Sequence, residues 1–396
     1  MKFKNLVFIL VIVIILGGCW DHRELSEITV VVGMAIDKGQ DNQYKLTVEG
    51  INAMELNSKT ASGFAPSIVF TLEGETLAEL TRKMNIGISK YLIYSHMKVL
   101  VISEEVLKEE MIYFLDFLER NREIRDDFNI VTARHVEAAD ILRTTYQVQK
   151  SSSLKLHTQL NSLVDSWGGD PNIRLNDIIQ TYTSPGKRGV MTALTIRGKP
   201  EKGGSVDNMN KTTPDAMVVV DSLAILKKDK LLGFLPIKDT RNFLWITNKL
   251  NKTEVSVICA KERNLGVRVV NTLTKTEAKL INGRAVINLK VRGEAYIESA
   301  QCKDDLTQVD TYEKYGRLTE KKIKRDLEAT IDKLQQVYKA DIFGFGEVLY
   351  RQDYKNFKRI EKNWDEYFSD ALVNVDVHIK LRRSGIRTKS IFTEVK

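Results

Sequence analysis

The chain has 396 residues, 43% hydrophobic and 28% charged, with 60 lysines and arginines against 52 acids and a formal net charge of +8. This composition excludes a disordered chain and leaves room for two or three domains, each burying its own core. The basic residues are scattered among acids, which argues against a nucleic-acid partner, and three cysteines are too few for an exported disulfide scaffold.

Lys2 and Lys4 precede an apolar run, Leu6 to Leu16, which is followed by Gly17-Gly18-Cys19. At ~1.5 Å per residue the run spans roughly 16 Å, about half of a ~30 Å hydrocarbon core, so it is too short to cross a membrane as a free-standing helix. The layout is that of a signal peptide over residues 1–18. Cys19 directly after two glycines resembles a bacterial lipobox, which implies a diacylglycerol on its thiol and cleavage before it. One acyl chain holds a protein only marginally, whereas two hold it stably. Everything after Cys19 is then expected outside the cytoplasm and tied to a membrane. The net charge falls to +6 when Lys2 and Lys4 leave, and modest basicity suits an anionic lipid surface. Trp20 fits either the headgroup level or a packed position.

Residues 19–196 read as an N-terminal α+β domain. Strands are expected over Ile28 to Ile36, Tyr44 to Ile51 and Ile68 to Leu72. A helix follows, capped by Thr76 with Glu79 and striped by Leu77, Leu80, Met84 and Ile88. Lys98 to Ile102 is a strand, Ser103 caps the next helix, and that helix buries Leu107, Met111, Phe114, Leu115 and Leu118. Phe128 to Ala133 is another strand, with a helix from about Val136. Strands interleaved with helices predict a mixed sheet with helices on it. Ser151 to Ser153 marks a candidate subdomain break. Leu156, Leu160, Leu163, Val164 and Trp167 define the next helix face, and a shorter helix runs from Leu175 to Tyr182. Gly186-Lys187 lacks the spacing of a phosphate loop, with Arg188 where Ser or Thr is needed, and reads as a turn.

The stretch 197–214, rich in Gly, Lys, Asn and Thr, is expected to be a linker to a C-terminal α+β domain over 215–396. There, Met217 to Leu226 and Leu231 to Phe234 predict a hairpin, and Asp239 to Thr247 a short helix. Asn282-Gly283 predicts a tight turn between long strands. Ala285, Ile287, Leu289 and Val291 alternate with polar residues, as do Val373, Val375, Val377, Ile379 and Leu381. The longest helix is expected from Thr319, with Ile323, Leu327, Ile331, Leu334 and Tyr338 on one stripe. Such patterns predict a largely antiparallel sheet packed by long helices. Cys259 continues the parity of Val255 and Val257 as a buried small hydrophobe, and no disulfide is expected.

Chemistry-bearing motifs are sparse. His-Glu-x-x-His, Gly-x-Ser-x-Gly and paired Cys-x-x-Cys are absent, and the five histidines are widely spaced. No catalytic residue, metal site or cofactor is assigned. Gly344 and Gly346 flank Phe345 just past the long helix, where glycine serves a cap and Phe343 and Phe345 dock on the core, or where the loop meets a partner.

The run Gly18-Cys19-Trp20-Asp21-His22-Arg23-Glu24-Leu25 resembles the opening of the Ger(x)C family of spore germination lipoproteins. The resemblance continues through Val31 to Asp37, Thr183 to Gly186, Leu231 to Leu235, Asp239 to Trp245, Asp341 to Glu347, Trp364, and Leu381 to Gly385, and so covers nearly the whole chain. It implies the C subunit of a nutrient germinant receptor, on the outer face of the spore's inner membrane beside integral membrane A and B subunits. It carries over Cys19 as lipid site and no catalytic residue. A lipid-anchored solute-binding protein of a transporter is the competing class; it would show two similar α/β lobes around a cleft. A lipoprotein enzyme would need a convergent polar cluster.

Overall fold

The computed structural model describes residues 24–382, apart from Asn42, Ser58, Glu110 and Asp229. The expected signal peptide, Cys19 and Trp20 lie outside the described residues. The architecture is α+β, built on two sheets.

The larger sheet contains β1 (Ile28–Lys38), β2 (Tyr44–Ile51), β3 (Ser67–Gly74), β4 (Tyr91–Ile93), β5 (Val99–Ser103), β6 (Asn129–Ala133), β7 (Gly189–Gly198), β8 (Ala216–Lys227) and β9 (Lys230–Pro236). Its order is β3-β2-β1-β5-β6-β7-β8-β9, with β4 pairing β1. The four central strands β1, β5, β6 and β7 are parallel, and antiparallel pairs extend the sheet on both sides. Central parallel strands are covered on both faces and read as undivided apolar runs, such as the fully buried Val99–Ser103. On one face, α3 (Ala138–Arg143) and α4 (Ser152–Ser166) bury Ile141, Leu142, Leu156 and Leu160 against Ala35, Val101, Val131 and Leu194. On the other lie α1 (Leu77–Lys83), α2 (Ile112–Arg120) and α5 (Leu175–Thr183). Thr76 Oγ1 accepts from Glu79 N at 3.3 Å and Ser103 Oγ from Val106 N at 3.4 Å, so both expected caps form.

Two buried carboxylates in this sheet hold helix starts. Asp37 accepts from Ala138 N and Ala139 N at 2.7 and 2.9 Å, in front of α3. Burial pushes its carboxyl up to about 6, opposed by those two N–H groups. Glu49, on the next strand, accepts from Ser151 Oγ, Ser152 N and Ser153 N at 2.8, 3.1 and 2.9 Å. Gly33 makes room for this: a Cβ there would lie 1.9 Å from Ser153 Oγ. Ser151 to Ser153, expected as a subdomain break, is therefore a buried docking point for α4.

The linker expected at 197–214 joins neighbouring strands of one sheet instead. β7 and β8 pair antiparallel from Gly189↔Leu226 to Gly198↔Ala216. The crossover between them is packed: buried Asn208 donates to Thr145 O and Ala216 O and accepts from Ala216 N, all near 3.0 Å. Residues 216–236 thus complete the first sheet, and the boundary expected at 215 falls inside it.

After α6 (Ile237–Ile246), the second sheet runs β10 (Thr253–Ala260), β11 (Arg263–Ile281), β12 (Arg284–Ala300) and β13 (Leu372–Leu381), in that order. Asn282 and Gly283 turn the β11–β12 hairpin with φ of 50° and 79°, the positive pair such a turn demands. β13 departs from the antiparallel expectation. It returns parallel to β12, because α7 (Val309–Lys333), α8 (Phe345–Gln352), α9 (Tyr354–Ile360) and α10 (Trp364–Ser369) form the crossover. α7 begins ten residues before the expected Thr319, with Tyr315 already in the core. Gln352 and Asp353 cover the edge that β10 leaves open on β11, accepting from Ala278 N at 2.8 Å and Leu280 N at 3.5 Å.

Cys259 and Cys302 form a disulfide with Cα atoms 6.3 Å apart, correcting the expectation of none. They flank the start of β11, since β10 and β12 both pair with it there (Ile258↔Asn264 and Leu265↔Ala300). One hydrophobic core runs without a break from the first sheet through α6 into the second.

Candidate functional site

Of the residues singled out in the sequence, Cys19 lies outside the described residues. Phe343 and Phe345 are 7% and 1% exposed, so they are core side chains rather than a contact surface. The rings continue a buried row, Phe243–Phe343–Phe345–Phe368, with centroids 6.3, 5.1 and 6.2 Å apart.

What places them there is Asp341. Its fully buried carboxylate accepts from Phe343 N at 3.0 Å, Gly344 N at 2.9 Å, Gly346 N at 2.8 Å and Trp364 Nε1 at 3.0 Å. Gly344, with φ of 79°, supplies the left-handed turn that lets one carboxylate meet the amides of Phe343, Gly344 and Gly346 around the start of α8. Burial pushes the Asp341 carboxyl up to about 6, and the donors around it pull against that. The main chain is used as well, with Arg188 N donating to Asp341 O at 2.7 Å.

This loop is half of a joint between the two sheets. The other half is the turn after α5, where Gly186 has φ of 68°. The two backbones touch: a Cβ on Gly346 would lie 2.7 Å from Gly186 Cα, and one on Gly186 would lie 2.8 Å from Gly346 Cα. Around the contact, Arg188 Nη2 donates to Asp365 Oδ1 at 2.7 Å, and Lys227 Nζ lies 3.0 Å from Asp365 Oδ2. Gly233 on β9 faces the Tyr338 ring, whose hydroxyl donates to Phe234 O at 2.8 Å. Asp239 at the start of α6 accepts from Thr330 Oγ1 at 3.0 Å and from Lys333 Nζ at 2.6 Å, and so locks α6 onto α7.

Gly186, Leu231 to Leu235, Asp239 to Trp245, Asp341 to Glu347 and Trp364 are thus brought together, and their role here is packing. Asp239 and Asp341 are engaged by donors from within the chain, and Gly186 and Gly346 meet backbone against backbone. His135, His157 and His378 are not brought together; they lie beside Glu104, Asn129 and Glu320 respectively. Among the described residues no group of His, Cys, Asp and Glu could hold a metal ion, and no helix is long and apolar enough to cross a membrane. Arg188 and Glu49 carried no sequence signal, because each acts through a partner far away in the chain.

Comparison with known proteins gives two family models in tandem. Residues 21–196 match "Spore germination protein N-terminal domain", and residues 221–385 match "Spore germination B3/ GerAC like, C-terminal". Similar chains over nearly their full length include Spore germination protein KC of Bacillus subtilis (strain 168), 28% identical with 98% of each chain covered. Spore germination protein B3 of the same organism is 25% identical, with 97% of this chain and 98% of that one covered. A solved structure, "Crystal Structure of the GerBC protein", shares the fold with a TM-score of 0.57 and 19% identity, over 88% of this chain and 96% of that one.

Proposed function

The chain belongs to the Ger(x)C family of spore germination proteins, and from that premise we propose that it is the lipid-anchored C subunit of a nutrient germinant receptor. It acts by contact with integral membrane A and B subunits at the outer face of the spore inner membrane, and not by turning over a substrate. The observation that carries the proposal is the ordered match of both germination models to a chain whose apolar leader runs through Gly17-Gly18 to Cys19 as the first residue after it. The anchor supports contact as the mode of action, because tethering raises effective concentration and makes a weak interface sufficient. Cys19 is the lipid site. Cys19→Ala is expected to release the chain from membranes or leave it uncleaved, and to abolish the germination response while the fold is kept. A Cys19→Ala chain that is cleaved, stays membrane-bound at the normal level and supports germination would refute the anchor. Turnover of a nutrient by the purified chain would refute the contact reading.

A further inference from the structure

We infer that the end of the large sheet where the chain enters is a membrane-contacting face, formed by Met54, Phe64, Ile68 and Ile86 and seated on the lipid bilayer. This rests on the proposed anchor at Cys19. The four residues come from two segments, the β2–β3 connection running into β3 and the stretch before β4, that the strand register gathers at one end of the sheet. Ile28 at the start of β1 pairs with Tyr91, Val31 with Gly50 at the end of β2, and Gly50 with Ile68 at the start of β3. The segments carrying Met54, Phe64 and Ile86 leave from those same strand ends. All four apolar side chains face solvent, with Phe64 70% and Ile86 74% exposed. Beside them a groove of about 720 Å³ opens between β3 and the segment before β4, lined by Ile51, Phe64, Ile68, Ile88 and Lys90.

Phe64 is held out by built structure. Buried Glu55 accepts from Ser62 N at 3.0 Å and Gly63 N at 3.1 Å, and Asn52 donates to Ala65 O at 3.2 Å. A buried carboxylate thus fixes a loop whose tip presents a phenylalanine to water, which isolated surface hydrophobes do not require. Gly87 lies against the Phe70 ring, which fixes the backbone next to Ile86.

The occupant follows from where the chain goes. The described structure begins at Glu24, four residues before β1, and Cys19 is five residues earlier. Fully extended, five residues reach at most ~17 Å. An anchored Cys19 therefore brings this end of the sheet to the headgroup region, where exposed apolar side chains can enter the acyl boundary. Lys59 and Lys90 are exposed on the same end and suit anionic headgroups. Glu24 and Glu27 are also there, engaged with each other in a capping box. Insertion of apolar side chains, more than charge, carries the contact.

The test uses the full lipidated chain in vesicles of phosphatidylglycerol and phosphatidylethanolamine with brominated acyl chains. Phe64→Trp adds an indole at the face, read against the unsubstituted chain. Val337→Trp is the control, because its neighbour Tyr338 contacts β9, seven strand spacings (~34 Å) across the sheet from β3. The added indole at 64 is expected to lose most of its emission to the bromines, and the one at 337 to keep it. A chain that floats with the vesicles while the indole at 64 stays unquenched overturns the face and leaves the anchor standing, with a protein partner as the occupant. Equal quenching at both positions also overturns the face. A chain that does not float overturns the anchor and the face together.

Discussion

Gly346→Ala tests the joint most directly. Gly346 is the second residue of α8 and does not have a positive φ, so its backbone accepts alanine. On helix propensity alone the substitution would stabilise by about 1 kcal/mol. The environment reverses the sign. The new Cβ would lie 2.6 Å from Trp364 Nε1 and 2.7 Å from both Gly186 Cα and Gly186 O. Two of these obstacles are backbone, so no side-chain rotation relieves them, and the halves of the joint must part by roughly 0.7–1 Å to reach ordinary contact. The same displacement would stretch the 3.0 Å bond from Trp364 Nε1 to Asp341 beyond hydrogen-bond range. Overpacking costs about 1–3 kcal/mol and a lost bond to a buried carboxylate about 1.5–3. Net of the helix gain, the expected loss is about 1.5–5 kcal/mol. At about 2 °C per kcal/mol for a large domain, Tm falls by roughly 3–10 °C. Differential scanning calorimetry reads this, with Gly316→Ala as its counterpart. Gly316 lies inside α7, and its nearest prospective contacts are at 3.9 and 4.0 Å, so alanine there should raise Tm slightly. If both substitutions raised Tm, the close approach of Gly186 and Gly346 would be wrong.

Two further outcomes follow from the same packing. Phe345→Ser truncates a ring that is 1% exposed, and large-to-small core changes of this kind cost about 3–5 kcal/mol, so Tm should drop; an unchanged Tm with loss of germination would reinstate this loop as a partner contact. The Cys259–Cys302 disulfide closes a sequence separation of 43, worth about 4 kcal/mol in loop-closure entropy. Reduction or Cys302→Ser should lower Tm accordingly, whereas alkylation of both thiols in denatured, unreduced protein would show that the bond does not form.

Local chemistry was legible in the sequence, and long-range placement was not. Thr76, Ser103 and Asn282-Gly283 act within four residues of their partners, so their types and spacing define their roles. The alternation of Ala285 to Val291 is likewise a local record of one buried face. β7 went unread because Val190, Met191, Ala193 and Leu194 are buried without alternation in the middle of a sheet, and its Thr192 is satisfied by buried Asp170. That strand is what β8 pairs with, so β8 and β9 extend the first sheet, while the two family models fall on either side of residues 197–220. Cys259 and Cys302 meet only through the register of the strand between them, which spacing does not encode. For Phe343 and Phe345 the loop supports either orientation; Asp341 decides it, and its donors include Trp364 on another helix.

The stretches that resemble the germination family and the residues that hold the joint are largely the same residues. Gly186, Gly233, Asp239, Asp341, Gly346 and Trp364 act through close approach and through saturated buried acceptors, and neither device depends on what the protein binds. Among the described residues, these stretches of the resemblance coincide with the fastening of the two sheets. A close-packed interior transmits displacement instead of absorbing it. Because one core runs from β3 to β13, a contact made at the entry end of the large sheet is rigidly related to the solvent face of the small one. Phe64 and Ile86, by contrast, are exposed features that the fold displays without needing them for its packing.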